Sequence, residues 1–191
     1  MVSLFNKQMK RNDIIFAIVC GLSVSWIAID FFGKYGFIFC IIFPILSVGG
    51  LLLCDILGRK FLFIHQAGKF ALAGAFADVI DIKVFQLLFL LAPFSLIFKG
   101  ISFLVATFIK YWTNKHWAFE KHEKDGMSRE AAQFFLVTLI GLAIDIVSFY
   151  YFGKIETGLP IKTWTELNII FAALIASVWN FCGYKFIVFK K

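Results

Sequence analysis

Six stretches of this chain are apolar and close to the ~20 residues that a membrane-spanning helix needs. They lie at about 14–32, 36–57, 70–91, 96–113, 134–152 and 168–188. Hydrocarbon offers no partner to open backbone groups, so runs of this length must be helical. The alternating pattern of a transmembrane barrel strand is absent. A soluble domain of 191 residues could not hide a composition that is 61% hydrophobic and only 16% charged. The expected fold is therefore all-α: a polytopic membrane protein with six transmembrane helices. The first stretch has some look of a signal peptide. No small-residue cleavage site follows, however, and Asp30 interrupts the run, so it is retained as a span.

Charge placement predicts the topology. With a cytoplasmic N-terminus, 13 of the 19 Lys and Arg residues fall on the inner face and four in outer loops (Lys34, Lys99, Lys154, Lys162); Lys83 and Lys110 lie within spans. That asymmetry favours both termini in the cytoplasm of a cell bounded by its inner membrane, and an even number of spans. The net charge of +7 is then a topology signal and an attraction to anionic lipid. Nucleic-acid binding is a poor explanation, since no basic soluble domain exists to carry it. The four cysteines (Cys20, Cys40, Cys54, Cys182) fall in apolar spans without metal-ligand spacing and read as small hydrophobes. No metal and no cofactor is expected.

One tripeptide occurs twice at matching depth. Ile80-Asp81-Ile82 lies 11 residues after Phe70, and Ile144-Asp145-Ile146 lies 11 residues after Phe134. An ionised acid near the bilayer centre costs ~2.5–3.5 kcal/mol on insertion scales, so meeting that cost twice points to a duplicated unit with a polar purpose. Residues 69–121 and 133–191 align as a tandem parallel two-helix repeat: the first helices match at an offset of 64, the second at 70. Asp81 and Asp145 then reach the same level. The first helix pair admits two readings. It is a worn third copy, with Ala28-Ile29-Asp30 echoing Ala143-Ile144-Asp145, or it is an unrelated extension.

Two constellations are candidates for function. Asp78, Asp81 and Lys83 share one span, Asp78 and Asp81 on one helix face. Lys83 points elsewhere and should meet another helix, with Asp145 a sensible partner. Charges of this kind must be paired, protonated or facing water, either as a polar path or as a buried ion pair that fixes register. The second constellation is basic and lies at the inner ends of the spans: Lys110, Asn114 and Lys115, then Asn180, Tyr184 and Lys185, with Arg59, Lys60 and Lys69 at that level. Lysine at the headgroup plane suits a lipid phosphate, although such cations commonly only anchor topology by snorkelling. Trp112, Trp117 and Phe119 read as interfacial belt residues. His65, His116 and His122 fall outside the spans with no ligand or catalytic spacing. Gly49, Gly50, Gly74, Gly141 and Gly183 read as helix-packing residues.

Taken together, Lys69-Phe70-Ala71-Leu72-Ala73-Gly74 with Asp81, Asn114-Lys115-His116-Trp117-Ala118-Phe119, Trp179-Asn180-Phe181 and Lys185-Phe186-Ile187-Val188-Phe189 resemble the signatures of the GtrA-like membrane proteins. The likeness covers about 66–191, so the expected organisation is an N-terminal helix pair (1–65) followed by a GtrA-like four-helix domain (66–191). The resemblance implies translocation of a polyprenyl-phosphate-linked sugar for cell-surface glycan synthesis, without catalytic chemistry of its own. On that reading the basic rim holds the phosphate and a polar groove around Asp78, Asp81, Lys83 and Asp145 passes the sugar. The alternatives are a non-catalytic anchor that recruits a glycosyltransferase through the charged 114–133 loop, and a small proton-coupled exporter. Two-helix repeats often need a partner chain to enclose a cavity, so a homo-oligomer is among the expected assemblies.

Overall fold

The computed structural model describes residues 9–59, 61–91, 95–122, 126–158 and 161–190. Every regular element among them is helical: α1 (Arg11–Phe32), α2 (Phe39–Gly58), α3 (Leu62–Phe89), α4 (Ser95–Thr113), α5 (Met127–Phe152) and α6 (Ile161–Gly183). A 3-10 stretch, Gly33–Ile38, joins α1 to α2. The apolar runs thus become six helices. Four helical segments are long and apolar enough to cross a membrane: Arg11–Asp30, Gly33–Gly58, Met127–Phe152 and Phe171–Val188. α3 departs from that pattern because it holds Lys69, Asp78, Asp81 and Lys83 within 28 residues. Many outward side chains are apolar. Ile41, Ile45, Leu53, Leu136 and Val178 are each more than half exposed, as lipid-facing residues would be.

The helices form two compact units, Met1–Glu120 and Lys121–Lys191. In the first, α3 is central and packs against α1, α2 and α4, while α1 also packs on α2. The α1–α2 crossing is tight. A Cβ on Gly21 would lie 2.5 Å from Pro44 backbone, and one on Gly36 would lie 2.4 Å from the Ile29 Cα. Ser25 spans this crossing, its hydroxyl donating to the Phe39 carbonyl at 2.7 Å and the Gly21 carbonyl at 2.8 Å. Such interhelical bonds by small polar residues are a common glue between apolar helices.

In the second unit α5 packs on α6. Gly141 and Gly183 are packing residues: an added Cβ would lie 2.3 Å from Asn180 Oδ1 in one case and 2.5 Å from Val137 Cγ1 in the other. Gly49, Gly50 and Gly74, expected to do the same, have no such neighbour within 4 Å among the described residues.

Both α4 and α6 end in a π-helical turn, Asn114–Ala118 and Tyr184–Val188. The wider turn is closed in each case by a bond five residues back: Phe119 N–H donates to Asn114 at 2.9 Å, and Phe189 N–H to Tyr184 at 2.7 Å. Such turns are rare and concentrate at functional sites.

Candidate functional site

The first cluster is built on Lys69, one of the largest fully buried side chains. A lysine is almost never buried without a partner. Its ammonium lies 2.8 Å from Asp13 Oδ1 and 3.4 Å from Glu120 Oε1. Trp117 closes the cluster, its indole N–H donating to Asp13 Oδ1 at 2.8 Å while its ring lies 5.6 Å from the ammonium. Asp13 also accepts the Lys10 backbone N–H at 3.0 Å, capping the start of α1. Glu120 adopts φ +49°, a left-handed conformation uncommon outside glycine. Expectation is corrected twice here. Lys69 does not snorkel and Trp117 is not a free belt residue; both are tied to a buried carboxylate that the first helix supplies.

The second cluster lies further along the same two helices. Lys83 pairs with Asp30 of α1, not with Asp145. Gln86 donates to the same Asp30 oxygen at 3.4 Å, and the Lys83 ammonium stands 4.5 Å from the Trp26 ring centroid. Partners ascend together along α1 and α3 (Asp13 with Lys69, Asp30 with Lys83), so these two helices run parallel. The two pairs are 17 residues apart on α1 and 14 on α3, roughly 21–26 Å at ~1.5 Å per residue.

Asp81 is half-buried and accepts a hydrogen bond from Ser102 of α4 at 2.6 Å. Asp78 is exposed, so the two acids expected on one face differ in environment. Asp145, half-buried on α5, makes no hydrogen bond or ion pair among the described residues.

At the π-turns, Asn114 is fully buried; its amide N–H donates to the Lys110 carbonyl at 2.7 Å, and its own Oδ1 is buried without a donor. Lys115 is also buried, its ammonium 3.4 Å from the Tyr111 hydroxyl, which again excludes snorkelling. Lys110 is half-exposed and Arg59 exposed; neither side chain has an ion pair among the described residues. Lys60 lies outside the described residues. In the second π-turn Tyr184 is wholly buried, stacked 4.1 Å from Phe134 and hydrogen-bonded to Thr138 at 2.6 Å. Lys185 lies near the rings of Phe181 and Phe186, at 5.7 and 5.6 Å. Asn180 Oδ1 is buried without a donor, against Gly141.

Among protein families, the one described as GtrA/DPMS, transmembrane domain, matches residues 69–189, more than half of the chain. The chain belongs to this family. GtrA/DPMS membership makes it a membrane protein and points to glycan or lipid-linked sugar processes. No curated protein and no solved structure matches the chain. The match begins at Lys69, so α1 and α2 precede the GtrA/DPMS domain, and α1 nevertheless supplies Asp13 and Asp30 to its Lys69 and Lys83.

Several groups escaped the sequence reading. Asp13 and Glu120 are separated from Lys69 by long stretches of chain, and only the packing of α1 and of the Asn114–Ala118 turn on α3 brings them together. His65, expected outside the spans with no partner spacing, is buried in the first turns of α3, its Nδ1 3.2 Å from the buried Asp55. Asn168 is buried on α6, donating to the Phe149 carbonyl at 2.8 Å. Its signal was present: a lone amide in an apolar run is itself a flag.

Proposed function

We propose that this chain translocates a polyprenyl-phosphate-linked sugar across the cytoplasmic membrane, working as a carrier and not as an enzyme. Six spans are proposed, α3 and α4 among them, with both termini cytoplasmic. The α3–α4 and α5–α6 hairpins are proposed as two copies of one unit. Their π-turns, offset by 70 residues and closed by the same type of bond, support the duplication.

Asp145 is the observation that carries the reading. It is an acid within a membrane-length apolar helix, with no protein partner among the described residues. A merely structural acid is paired, as Asp13 is; an unpaired one fits a path for hydrophilic cargo. Lys110 and Arg59, free of ion pairs among the described residues, are the cations we assign to the lipid phosphate, whereas Lys69 and Lys83 are already neutralised. The prenyl tail would stay in lipid.

The test is flipping of a fluorescent polyprenyl-phosphate sugar in proteoliposomes. An Asp81→Asn/Asp145→Asn double variant should lose most of the activity. Wild-type flipping by that variant would sink the path. The second reading, a glycosyltransferase anchor, is favoured by the charge density of the 114–133 loop. It predicts co-purification with a cytoplasmic glycosyltransferase, lost on loop replacement and indifferent to the double variant.

A further inference from the structure

Trp26, Lys83, Val84, Gln86, Leu87 and Leu90 line an open cavity of about 330 Å³ between α1 and α3, beside Asp30. We propose that it is a saccharide subsite that holds one neutral sugar ring of the lipid-linked cargo; this rests on the translocase reading above. The volume falls at the lower end of the ~300–1,000 Å³ usual for small-molecule sites, enough for a single ring.

Its chemistry distinguishes a sugar from a phosphate. The ion pair with Asp30 cancels the Lys83 charge, so an anion entering here would meet a carboxylate beside the cation that lines the cavity. What remains is neutral overall and mostly apolar, with the donors and acceptors of Lys83, Gln86 and Asp30 at one side. Asp30 Oδ2 receives Lys83 and Gln86, which leaves Oδ1 without a protein partner among the described residues. Gln86 keeps a carbonyl and a second amide hydrogen, and Lys83 keeps further N–H donors. Vicinal hydroxyls each donate and accept, and interleaved groups of this kind answer them.

Trp26 adds the apolar half of the recognition. Although Lys83 stands over its ring, the residue is still 57% exposed. An indole offers a broad flat apolar surface for the C–H face of a pyranose, with a polar N–H at its edge. Val84, Leu87 and Leu90 supply apolar walls. Trp26 and Asp30 come from α1, before the matched 69–189 region, so the subsite needs both the extension and the family domain.

Native mass spectrometry of the full chain in detergent tests this with two probes: a polyprenyl phosphate, and the same lipid bearing one glucose. Wild-type protein should prefer the glucosylated lipid. Trp26→Ala and Gln86→Leu should each lose roughly tenfold of that affinity, about 1.4 kcal/mol, with binding of the bare phosphate unchanged; Trp26→Phe should keep most of it. Equal affinity of the wild type for both probes, or variants that keep the full sugar preference, would overturn the subsite and leave the translocase reading standing. Loss of both lipids by the variants, with an unchanged melting temperature, would also overturn it by assigning these residues to the lipid. Failure of the wild type to bind either probe would bring down both readings.

Discussion

Asp81 and Asp145 stand at matching positions of α3 and α5 in the sequence, yet their surroundings differ. Ser102 bonds Asp81 from α4; seventy residues later Ala172 occupies the matching place on α6, and Asp145 is left without a donor among the described residues. The same division runs through both hairpins. α3 carries Lys69 and Lys83, each neutralised from α1, where α5 has Gln133 and Val147. α5 and α6 instead fit by shape and neutral bonds. Val137 fills the space left by Gly183, and Thr138 bonds Tyr184, where the first hairpin has Ala73 with Thr113 and Gly74 with Asn114. The first hairpin borrows charges from a neighbouring helix; the second relies on complementary volumes, with one ion pair of its own unit, Lys121 with Glu130 at 2.9 Å, beside the Val188 carbonyl. Two helices can therefore carry the same Ile-Asp-Ile tripeptide in different surroundings.

Removing a borrowed charge should produce the largest effect. Lys69→Met leaves Asp13 and Glu120 facing each other in a buried site, and breaking a buried pair this way costs ~3–5 kcal/mol. Most of the folded protein should be lost in detergent by size-exclusion chromatography, whereas Gln133→Met should be nearly silent. Equal losses would erase the contrast between the hairpins.

Next in size is Asp145→Asn, which should stabilise the protein, by up to ~2.5–3.5 kcal/mol on the insertion scale, while lowering flipping. Asp81→Asn should instead destabilise by about 1.5 kcal/mol, because it weakens a bond to a charged acceptor. Opposite shifts in melting temperature are the expected signature, and shifts of the same sign would break the comparison.

Gly141→Ala forces a methyl against Asn180, an overpacking cost of ~1–3 kcal/mol. Gly74→Ala, with open space around it, should cost nothing and gain some helix propensity. The smallest effect belongs to Ala172→Ser, which offers Asp145 the donor that Asp81 already has. A gain of about 1 kcal/mol in thermal stability is expected.

The helices were legible in the sequence because apolar length is a local property. Their starts were less so: α3 begins at Leu62 and α5 at Met127, several residues before the apolar runs, because His65, Gln66 and Lys69 in α3 and Ser128, Arg129 and Glu130 in α5 interrupt the hydropathy signal. The acid Asp145 and the half-buried Asn180 were legible as polar residues in apolar surroundings. The partner of Lys83 was not, because helix rotation and neighbour choice are decided by packing between distant segments. Lys69 and Lys115 were misplaced for a related reason. A lysine at a helix end looks the same in sequence whether its ammonium reaches water or a buried group, and only Asp13 and Tyr111 settle which.

The parallel pairing of α1 with α3 also orders events during synthesis. Asp30 emerges from the ribosome 53 residues before Lys83, a delay of roughly 3–10 s at ~5–20 residues per second. For that interval the first helix carries an acid whose counter-ion does not yet exist. Because Asp30 is the last residue of the first apolar segment, Arg11–Asp30, water at the bilayer edge can hold the acid until the third helix arrives.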